Sequence, residues 1–407
     1  MSAVVVALGR RRLRIAEGPR LLAGIADGPS LEAHRRQWPA VRAVPLEQLA
    51  TLAEGMQLRG RGGAGFPFAT KLRTAAGRGA VVVVNVSEGE PASFKDAALA
   101  LVRPHLILDG AELAASALGA RTVHVVLPGE HAAVRESLLA AIAERDGGPA
   151  FRTHVADQRF VAGQARAVLE LMAGRPNLPV TSWQPEAVAG HRGKPTLLSN
   201  AETYAQLAAA GALGSDGFAA IGLASEPGTT LLTLNGESEG PVVREAAFGT
   251  PWSMILAPEA LNAPILVGGF HGAWLQAGAL SRSEVSRAEL LRLGANIGAG
   301  IVLPLAVGAC PVDETARVVR YLAGESAGRC GPCLNGLPAL ADAMDALADG
   351  SGRERVAELT GLLPGRGACA HPDGTVRLVA SLLRSFEPEL DLHAAGRCGF
   401  AILRRSA

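Results

Sequence analysis

The sequence predicts a multidomain α/β protein with a Rossmann-like parallel-sheet domain, a small β-rich domain and a helical bundle at the C-terminal end. Residues 80–174 alternate strand-like and helix-like segments, as parallel strands joined by crossover helices do. Residues 229–249 contain two apolar segments on either side of a polar turn, which predicts an antiparallel hairpin. After Pro311, apolar residues recur at spacings of three and four, which predicts helices.

Composition and charge restrict the class of protein. The 407 residues are enough for two to four domains. The net charge is +1 and the arginines are scattered, so binding to nucleic acid is not expected. The apolar run at the amino terminus is too short for a signal-peptide core, and residues 294–312 contain several glycines and a proline at mid-segment, Pro304. We therefore expect a buried strand and turn over 294–312, and a cytoplasmic protein without direct membrane insertion.

A glycine-rich loop, LRGRGGAGFP, occupies residues 58–67. Its four glycines lie within six positions and are Gly60, Gly62, Gly63 and Gly65. Such a loop lets the backbone approach a ligand closely and turns amide hydrogens toward an anion, and Lys71 adds a nearby positive charge. Because the loop precedes the first clear strand, it differs from the usual dinucleotide fingerprint. Both a phosphate-binding loop and a purely structural turn are open interpretations.

An acidic segment, NVSEGEPASFKD, follows the apolar strand that begins at residue 81. In an open parallel sheet the ligand crevice lies beyond the carboxyl ends of the strands, and here that position carries Asn85, Ser87, Glu88 and Glu90. Two carboxylates at this edge are suited to binding ribose hydroxyls or a nicotinamide amide. The alternative is a solvated acidic turn without a ligand.

A cysteine motif, ESAGRCGPC, occupies residues 325–333, and Cys369 and His371 follow it along the chain. Cys330 and Cys333 form a C-x-x-C pair at a turn before a predicted helix, where amide hydrogens stabilise thiolate charge. This pattern favours an iron–sulfur cluster. A Cys3His zinc site is the rival, although a C-x-H spacing leaves little room for two ligands on one tetrahedral metal.

The two other cysteines, Cys310 and Cys398, lie in apolar or glycine-rich surroundings. We expect both of them to be small buried hydrophobic residues. The odd total of five cysteines, all in the last quarter of the chain, favours metal or cluster ligation over a disulfide framework.

Taken in this order, the motifs resemble one family, the NADH-binding flavoprotein (51 kDa-type, F) subunit of respiratory complex I, which also occurs in NAD-dependent hydrogenases and formate dehydrogenases. Four segments carry the resemblance: LRGRGGAGFP, N-x-x-E-x-E-P at 85–91, GKPTLLSNAET at 193–203 and E-S-x-G-x-C-x-P-C at 325–333. The resemblance implies four regions. They are an N-terminal extension (1–50), a Rossmann-like FMN- and nucleotide-binding domain (51–222), a β-grasp, SLBB-like domain (223–308) and a helical iron–sulfur-type domain (309–407).

The resemblance also implies cofactors, substrate and site residues. The residues that it assigns to FMN are Gly60, Arg61, Gly62, Gly63, Lys71, Asn85, Glu88, Gly163, Asn200 and Thr203. Phe66 and Glu90 would border the nicotinamide of NAD(H), and Cys330, Cys333 and Cys369 would ligate a 4Fe-4S cluster. The implied activity is a flavin-dependent oxidoreductase that takes hydride from NAD(P)H onto FMN. It then passes single electrons to an iron–sulfur centre, with a ferredoxin or a thioredoxin-like 2Fe-2S protein as partner.

Several residues depart from the family pattern. Ala327 stands where the motif has its first cysteine, and a methyl group cannot ligate iron. Three outcomes are open: a 4Fe-4S cluster with a substitute ligand such as His371 or Ser326, a three-iron cluster, or no cluster. Gln164 and Ala165 replace a pair of glutamates on the nucleotide side, and each lost hydrogen bond weakens binding by about 1 kcal/mol. FMN binding is therefore expected to survive better than NADH binding.

These departures leave two other classes of function open. The first is an electron relay or assembly scaffold that keeps the fold and FMN but has lost NADH oxidation. The second is a zinc-stabilised binding module without a redox role, which metal analysis would distinguish from an iron–sulfur protein.

Overall fold

The computed structural model of the chain describes residues 3–9 and 11–402. The chain forms two compact units, one made of Met1–Leu178 and Ser182–Thr250 and the other of Pro179–Thr181 and Pro251–Ala407. Among the described residues, no helix combines the length and apolar character needed to cross a membrane. The finer predicted division, with a separate β-grasp domain, stays a prediction.

The first unit contains two sheets, a two-stranded ribbon and the helices that connect their strands. Its strands are β1 (Ala3–Leu8), β2 (Arg11–Ala16), β3 (Val81–Asn85), β4 (Thr122–Leu127), β5 (Ala150–Val155), β6 (Thr196–Asn200), β7 (Gly222–Leu223), β8 (Glu226–Pro227), β9 (Thr229–Leu234) and β10 (Val242–Ala247). Its helices are α1 (Leu31–Gln37), α2 (Leu46–Gly55), α3 (Phe68–Thr74), α4 (Lys95–Val102), α5 (Pro104–Leu118), α6 (Ala132–Ala143), α7 (Ala165–Met172) and α8 (Ala201–Ala219).

The parallel sheet has the strand order β5-β4-β3-β6, and all three pairings in it are parallel. The central strand β3 is a run of valines with three successive fully buried members, Val82 to Val84, as expected for a strand covered on both faces. The predicted Rossmann-like sheet is therefore confirmed. From β3 the chain runs outward through β4 and β5 and then returns to place β6 on the other side of β3, so the strand order reverses between β3 and β6.

The second sheet of this unit joins distant parts of the chain. Strands β9 and β10 pair antiparallel, which confirms the predicted hairpin. The N-terminal strands β1 and β2 form another antiparallel hairpin, and β2 pairs parallel with β10 through Val242↔Arg14 and Val243↔Ile15. The N-terminal hairpin is a feature that the sequence analysis did not predict.

The second unit is mainly helical. Its strands are β11 (Ile265–Val267), β12 (Ala273–Leu275) and β13 (Ile301–Pro304). Its helices are α9 (Pro258–Leu261), α10 (Arg287–Arg292), α11 (Pro311–Gly324), α12 (Leu337–Ala348), α13 (Arg353–Leu362), α14 (His371–Ser385), α15 (Glu387–Ala394) and α16 (Gly399–Ile402). Strand β11 pairs antiparallel with both β12 and β13. The helices after Pro311 confirm the predicted C-terminal helical region, and β13 lies in the segment predicted to be a buried strand.

Candidate functional site

The candidate site lies at the carboxyl ends of β3 and β6. Asn85 is the last residue of β3, Asn200 is the last residue of β6, and the two are partners in the parallel register. Both are nearly buried, with 8% and 9% of their surface exposed. A reversal of strand order at the carboxyl end of a parallel sheet is where such folds form a ligand crevice. Two of the predicted site residues therefore lie side by side at the position where such a crevice has its floor.

Asn85 fixes one wall of the crevice. Its Nδ2 donates a hydrogen bond to the Gly163 carbonyl oxygen at 2.8 Å, and its Oδ1 accepts one from Ser87 Oγ at 2.6 Å. A methyl group added at Gly89 would lie 2.4 Å from the Phe160 carbonyl oxygen, so the two loops pass backbone against backbone. Gly163 is thus brought to the end of β3, and its assignment to FMN stays a prediction.

The glycine-rich loop forms the other wall. The Gly60 amide donates to the Phe66 carbonyl oxygen at 2.9 Å, which closes the loop into a narrow hairpin. Gly63 and Gly65 have φ angles of 110° and 62°, values that favour glycine. A methyl group added at Gly62, in contrast, would meet only side-chain atoms of Asn200, the nearest at 3.7 Å. The loop therefore lies over the end of β6.

A hydrogen-bond chain fastens this loop to α8. The backbone amide of Arg61 donates to Thr203 Oγ1 at 2.9 Å, and Thr203 Oγ1 in turn donates a short hydrogen bond to Asn200 Oδ1. Asn200 is also the N-cap of α8 and accepts from the Thr203 amide at 3.3 Å. The loop, the strand end and the helix start are therefore held by one pair of polar side chains, one of which caps the helix in the usual way.

The Arg61 side chain points beneath the loop. It is 7% exposed, donates to the Thr229 carbonyl oxygen at 3.1 Å, and its guanidinium lies 5.1 Å from the centre of the Phe248 ring. Its Nε is 3.9 Å from Glu202 Oε1. The structure thus places Arg61 as an anchor of the loop, and its assigned role in holding FMN stays a prediction.

A buried ionic network supports the floor of the crevice. Lys95 is 2% exposed, and its Nζ lies 2.9 Å from Asp96 Oδ1 and 3.2 Å from Glu202 Oε2. Burial alone would lower the pKa of Lys95, but the surrounding carboxylates raise it above its usual value. Asp96 also accepts a hydrogen bond from Asn200 Nδ2 at 3.0 Å. Because a buried charge is costly unless it is paired and hydrogen-bonded, the network fixes Asn200 in one orientation.

Glu88 is held firmly against the start of α4. Its Oε1 accepts a hydrogen bond from Ser93 Oγ at 2.6 Å, and its Oε2 accepts one from the Ala97 amide at 2.9 Å. Burial, together with the negative charge of Asp96, raises the pKa of Glu88 to about 7, and Lys95 opposes both effects. A carboxyl group that titrates near neutral pH in a crevice is typical of a functional site.

The remaining predicted residues, Lys71, Glu90 and Phe66, are only partly buried or exposed. Lys71, on α3, pairs with Glu186 at 2.7 Å; burial would raise the pKa of Glu186, but Lys71 holds it below its usual value. Glu90 is half-buried. Phe66 has 52% of its surface exposed, so the last large side chain of the loop presents an apolar ring on which a flat ligand can stack.

These features fit a flavin mononucleotide. The Gly62 and Gly63 amides lie in exposed residues, and within the described chain they donate no hydrogen bond to another residue. Amides so placed, at the switch point of a parallel sheet, suit a phosphate. Asn85 and Asn200 are locked by the contacts above, so the floor is already organised for a ligand. The donor set therefore suits FMN, whereas a bare structural turn does not require exposed amides at this edge.

The cysteine motif lies in the second unit, where a π-helical turn at Pro332–Gly336 leads into α12. Burial raises the pKa of Cys333, and the adjacent Cys330 raises it further, whereas the amides of Ala327 and Gly328 donate to its sulfur and lower it. The prediction that backbone amides face this sulfur is confirmed. Ala327 contributes only its amide, because a methyl group cannot ligate iron. Three cysteines remain, Cys330, Cys333 and Cys369, and three do not complete the four-cysteine ligation of a 4Fe-4S cluster.

His371 is not placed to supply the missing ligand. It is completely buried, its Nε2 lies 2.8 Å from the Leu322 carbonyl oxygen, and its Nδ1 lies 3.1 Å from His271 Nε2. Both ring nitrogens are therefore engaged in hydrogen bonds inside the helical unit. The Ser326 hydroxyl makes a long contact of 3.5 Å with the Cys333 carbonyl oxygen.

Three residues of the network were missed by sequence reasoning: Lys95, Asp96 and Glu202. Each lies inside a motif segment already singled out, and each is a charged residue in the first turn of a helix whose first half is largely buried. That placement was the available signal, because a charge on a buried helix needs a partner of opposite sign. It did not reveal which residues pair, since Lys95 and Glu202 are far apart in the sequence.

Two family models match the chain. The Nuo51 FMN-binding domain matches residues 54–209, which include both walls and the floor of the crevice. The NADH-ubiquinone oxidoreductase-F iron-sulfur binding region matches residues 313–393. The cysteines Cys330, Cys333 and Cys369 lie in this second region.

Known proteins are similar over most of the chain. The F subunit of NADH-quinone oxidoreductase in Streptomyces coelicolor is 30% identical over 393 residues, which cover 89% of this chain and 86% of that protein. The F 2 subunit of NADH-quinone oxidoreductase in Rhizobium meliloti is 28% identical over 383 residues, covering 87% and 90%. A crystal structure of an NAD+-reducing [NiFe]-hydrogenase in the H2-reduced state matches with a TM-score of 0.82 and 25% identity, over 95% of this chain and 68% of that one.

Proposed function

This chain belongs to the family of NADH-quinone oxidoreductase F subunits, and on that premise we propose that it is a flavin-dependent oxidoreductase that takes hydride from NADH onto FMN. FMN, when bound, supplies acceptance of an electron pair and release of single electrons. The chain's own residues have no bond to make or break. Their task is to bind, to orient and to exclude water.

The observation that carries this proposal is the switch-point crevice between β3 and β6. The amides of Gly62 and Gly63 are the groups that we assign to the phosphate of FMN. Asn85 and Asn200 would orient the flavin from below, because their own side chains are fixed by hydrogen bonds. Polar side chains that are already fixed in the free protein need not reorganise when the flavin binds.

The nicotinamide side is assigned to Phe66 and Glu90. An exposed phenyl ring at the end of the glycine loop can stack on a flat ring and hold it against the flavin. Glu90 follows the firmly held Glu88 by two residues, and the close backbone contact at Gly89 fixes the loop that carries it. The role of each residue is part of the proposal.

We assign the next electron acceptor to a separate protein, a ferredoxin or a thioredoxin-like 2Fe-2S partner. The chain contains the iron–sulfur binding region of its family, but three cysteines with Ala327 at the fourth position do not supply the usual ligands. The proposal therefore routes no electrons through this region. The relatives described above are, by name, subunits of larger enzymes, and the same context is proposed for this chain, in the cytoplasm.

A second candidate function is a relay or scaffold component that binds FMN but does not oxidise NADH. It is favoured by Gln164 and Ala165, which stand at the start of α7 where the family has two glutamates. Lost hydrogen bonds there weaken nucleotide binding without disturbing the glycine loop.

The experiment that separates the two uses the full-length protein loaded with FMN under anaerobic conditions. Addition of NADH should bleach the visible flavin absorption, and turnover with an artificial acceptor should follow. Flavin that stays oxidised with both NADH and NADPH would refute the dehydrogenase and leave the relay. Protein that refuses added FMN would refute both.

A further inference from the structure

Four metal-ligating side chains meet in the helical unit outside the family's cysteine motif. They are Cys310, Glu389, His393 and Cys398, and their ligand atoms all lie within 4.8 Å of one another. Cys310, Glu389 and His393 are 5%, 6% and 7% exposed, respectively, and Cys398 is half-buried. The group joins the start of α11, the length of α15 and the turn before α16.

The separations suit one tetrahedral metal ion. With Zn–S near 2.3 Å and Zn–N and Zn–O near 2.05–2.1 Å, tetrahedral angles place neighbouring ligand atoms about 3.4–3.8 Å apart. The observed Nε2 of His393 to Oε1 of Glu389 distance is 3.4 Å, and Cys310 Sγ lies 3.2 Å from the same Nε2. These two separations lie within a few tenths of an ångström of the tetrahedral values, and no other separation in the group exceeds 4.8 Å.

Two of the buried ligands are already oriented by partners behind them. His393 Nδ1 lies 2.7 Å from the Ala348 carbonyl oxygen, so this nitrogen carries the proton and Nε2 presents its lone pair to the group. Glu389 accepts hydrogen bonds from the Gly399 amide at 2.9 and 3.2 Å. Outer hydrogen bonds of this kind fix the tautomer and the orientation of metal ligands.

Cys310 is prepared for the thiolate form by its position at the N-cap of α11. The amides of two residues in the first turn of that helix, Val312 and Asp313, donate to its sulfur. A divalent cation bound at this sulfur would displace the thiol proton.

We propose that Cys310, Glu389, His393 and Cys398 bind one zinc ion in a closed structural site. Two thiolates, an imidazole and a carboxylate are the ligand types that zinc takes, and four protein ligands leave no open position for catalysis. Glu389 and His393 lie one turn apart on α15, on the same face. The ion would tie the last turn of the described chain to the start of α11. Cys310 is buried, as the sequence predicts, whereas Cys398 is half-buried and not buried as predicted; the proposal adds a ligand role to both.

The test uses the full-length protein expressed with zinc, purified and passed through a chelating resin. Elemental analysis should give about one zinc per chain, and X-ray absorption at the zinc edge should show two sulfur and two nitrogen or oxygen neighbours. This edge does not respond to flavin or iron. Cys398→Ser should reduce the retained zinc at least tenfold, and Glu389→Gln, which keeps the shape and the Gly399 contact, should also weaken retention.

The matched control is Cys330→Ser, a cysteine-to-serine change in the same unit but in the other cysteine motif. It should leave the zinc content at one per chain. Zinc-free wild-type protein, zinc retained in both Cys398→Ser and Glu389→Gln, or zinc lost in Cys330→Ser would each overturn the proposal. A Cys310–Cys398 disulfide in the purified protein would overturn it as well. If Cys398→Ser fails to fold, Glu389→Gln decides the question.

Discussion

Replacing Glu88 by glutamine is predicted to make the first unit more stable at neutral pH but not at acidic pH. Burial and Asp96 raise the pKa of Glu88 from 4.5 to about 7. The folded state therefore binds a proton more tightly than the unfolded state between these two values. Under linkage, stability falls as pH rises wherever the folded state holds more protons. The contribution of Glu88 to stability therefore falls from pH 4.5 to about 7, and the glutamine variant lacks this loss.

The size of the effect follows from the two pKa values. Each pH unit between them corresponds to about 1.4 kcal/mol, so the interval from 4.5 to about 7 corresponds to about 3 kcal/mol. Glutamine keeps the shape of the side chain and can retain the contacts with Ser93 and Ala97. The gain in the free energy of unfolding of Glu88→Gln should therefore be near zero at about pH 4.5 and reach up to about 3 kcal/mol at about pH 8.

The assay is urea unfolding without flavin at a series of pH values, read by pulsed hydrogen exchange on peptides from β3 and α4. These peptides report the first unit alone, which matters because a chain with two units need not unfold in one step. Glu136→Gln, which removes an exposed carboxylate on α6, controls for the loss of one negative charge. A difference between Glu88→Gln and wild type that is the same at about pH 5 and about pH 8 would refute the reasoning.

Three further predictions follow from the site geometry. Gly62→Ala should reduce FMN affinity at least tenfold in fluorescence titration, because the added methyl would lie beside the amides that we assign to the phosphate. The melting temperature without FMN should not fall, because that methyl meets only Asn200, at 3.7 Å. The control Gly55→Ala, which has open space around the added methyl, should leave the FMN affinity unchanged. Gly89→Ala should lower the free energy of unfolding by about 1–3 kcal/mol in urea titration, since its methyl would lie 2.4 Å from a backbone oxygen; unaltered stability would contradict the close contact. Ala327→Cys should raise cluster iron toward four per chain in anaerobically reconstituted protein, because it restores the fourth cysteine of the motif. Iron equal to that of the wild type would show that the missing cysteine does not limit cluster binding.

The parallel sheet could be predicted from the sequence because its strands are continuous apolar runs separated by amphipathic helices. The register of β3 against β6 could not, although it is what places Asn85 beside Asn200. Segments 81–85 and 196–200 are separated by more than a hundred residues, and pairing of that range is decided by tertiary packing rather than local pattern. The parallel pairing of β2 with β10 escaped prediction for the same reason, because β10 lies at the far end of the first unit.

The site residues also divide into those marked by a local sequence motif and those defined by long-range packing. Residues with a distinctive local motif, such as the loop glycines and the C-x-x-C pair, were identified from spacing. Lys95 and Glu202 were not, because their importance comes from facing each other inside the fold. The proposed zinc ligands belong partly to each group. Glu389, His393 and Cys398 are close in sequence, but the fourth ligand, Cys310, lies at the start of a different helix, α11.

The proposed zinc site bears on how the helical unit tolerates Ala327. In a four-cysteine cluster site, metal ligation ties the surrounding turns together, so the loss of one ligand should weaken the unit as well as the cluster. A closed zinc site would hold α11 and α15 together without any of the motif cysteines. The stability of the helical unit would then depend on Cys310 and Cys398, and Ala327 would affect the cluster region alone. Chelation of zinc should accordingly lower the melting temperature more than Cys330→Ser does, and the reverse order would place the structural role back in the cysteine motif.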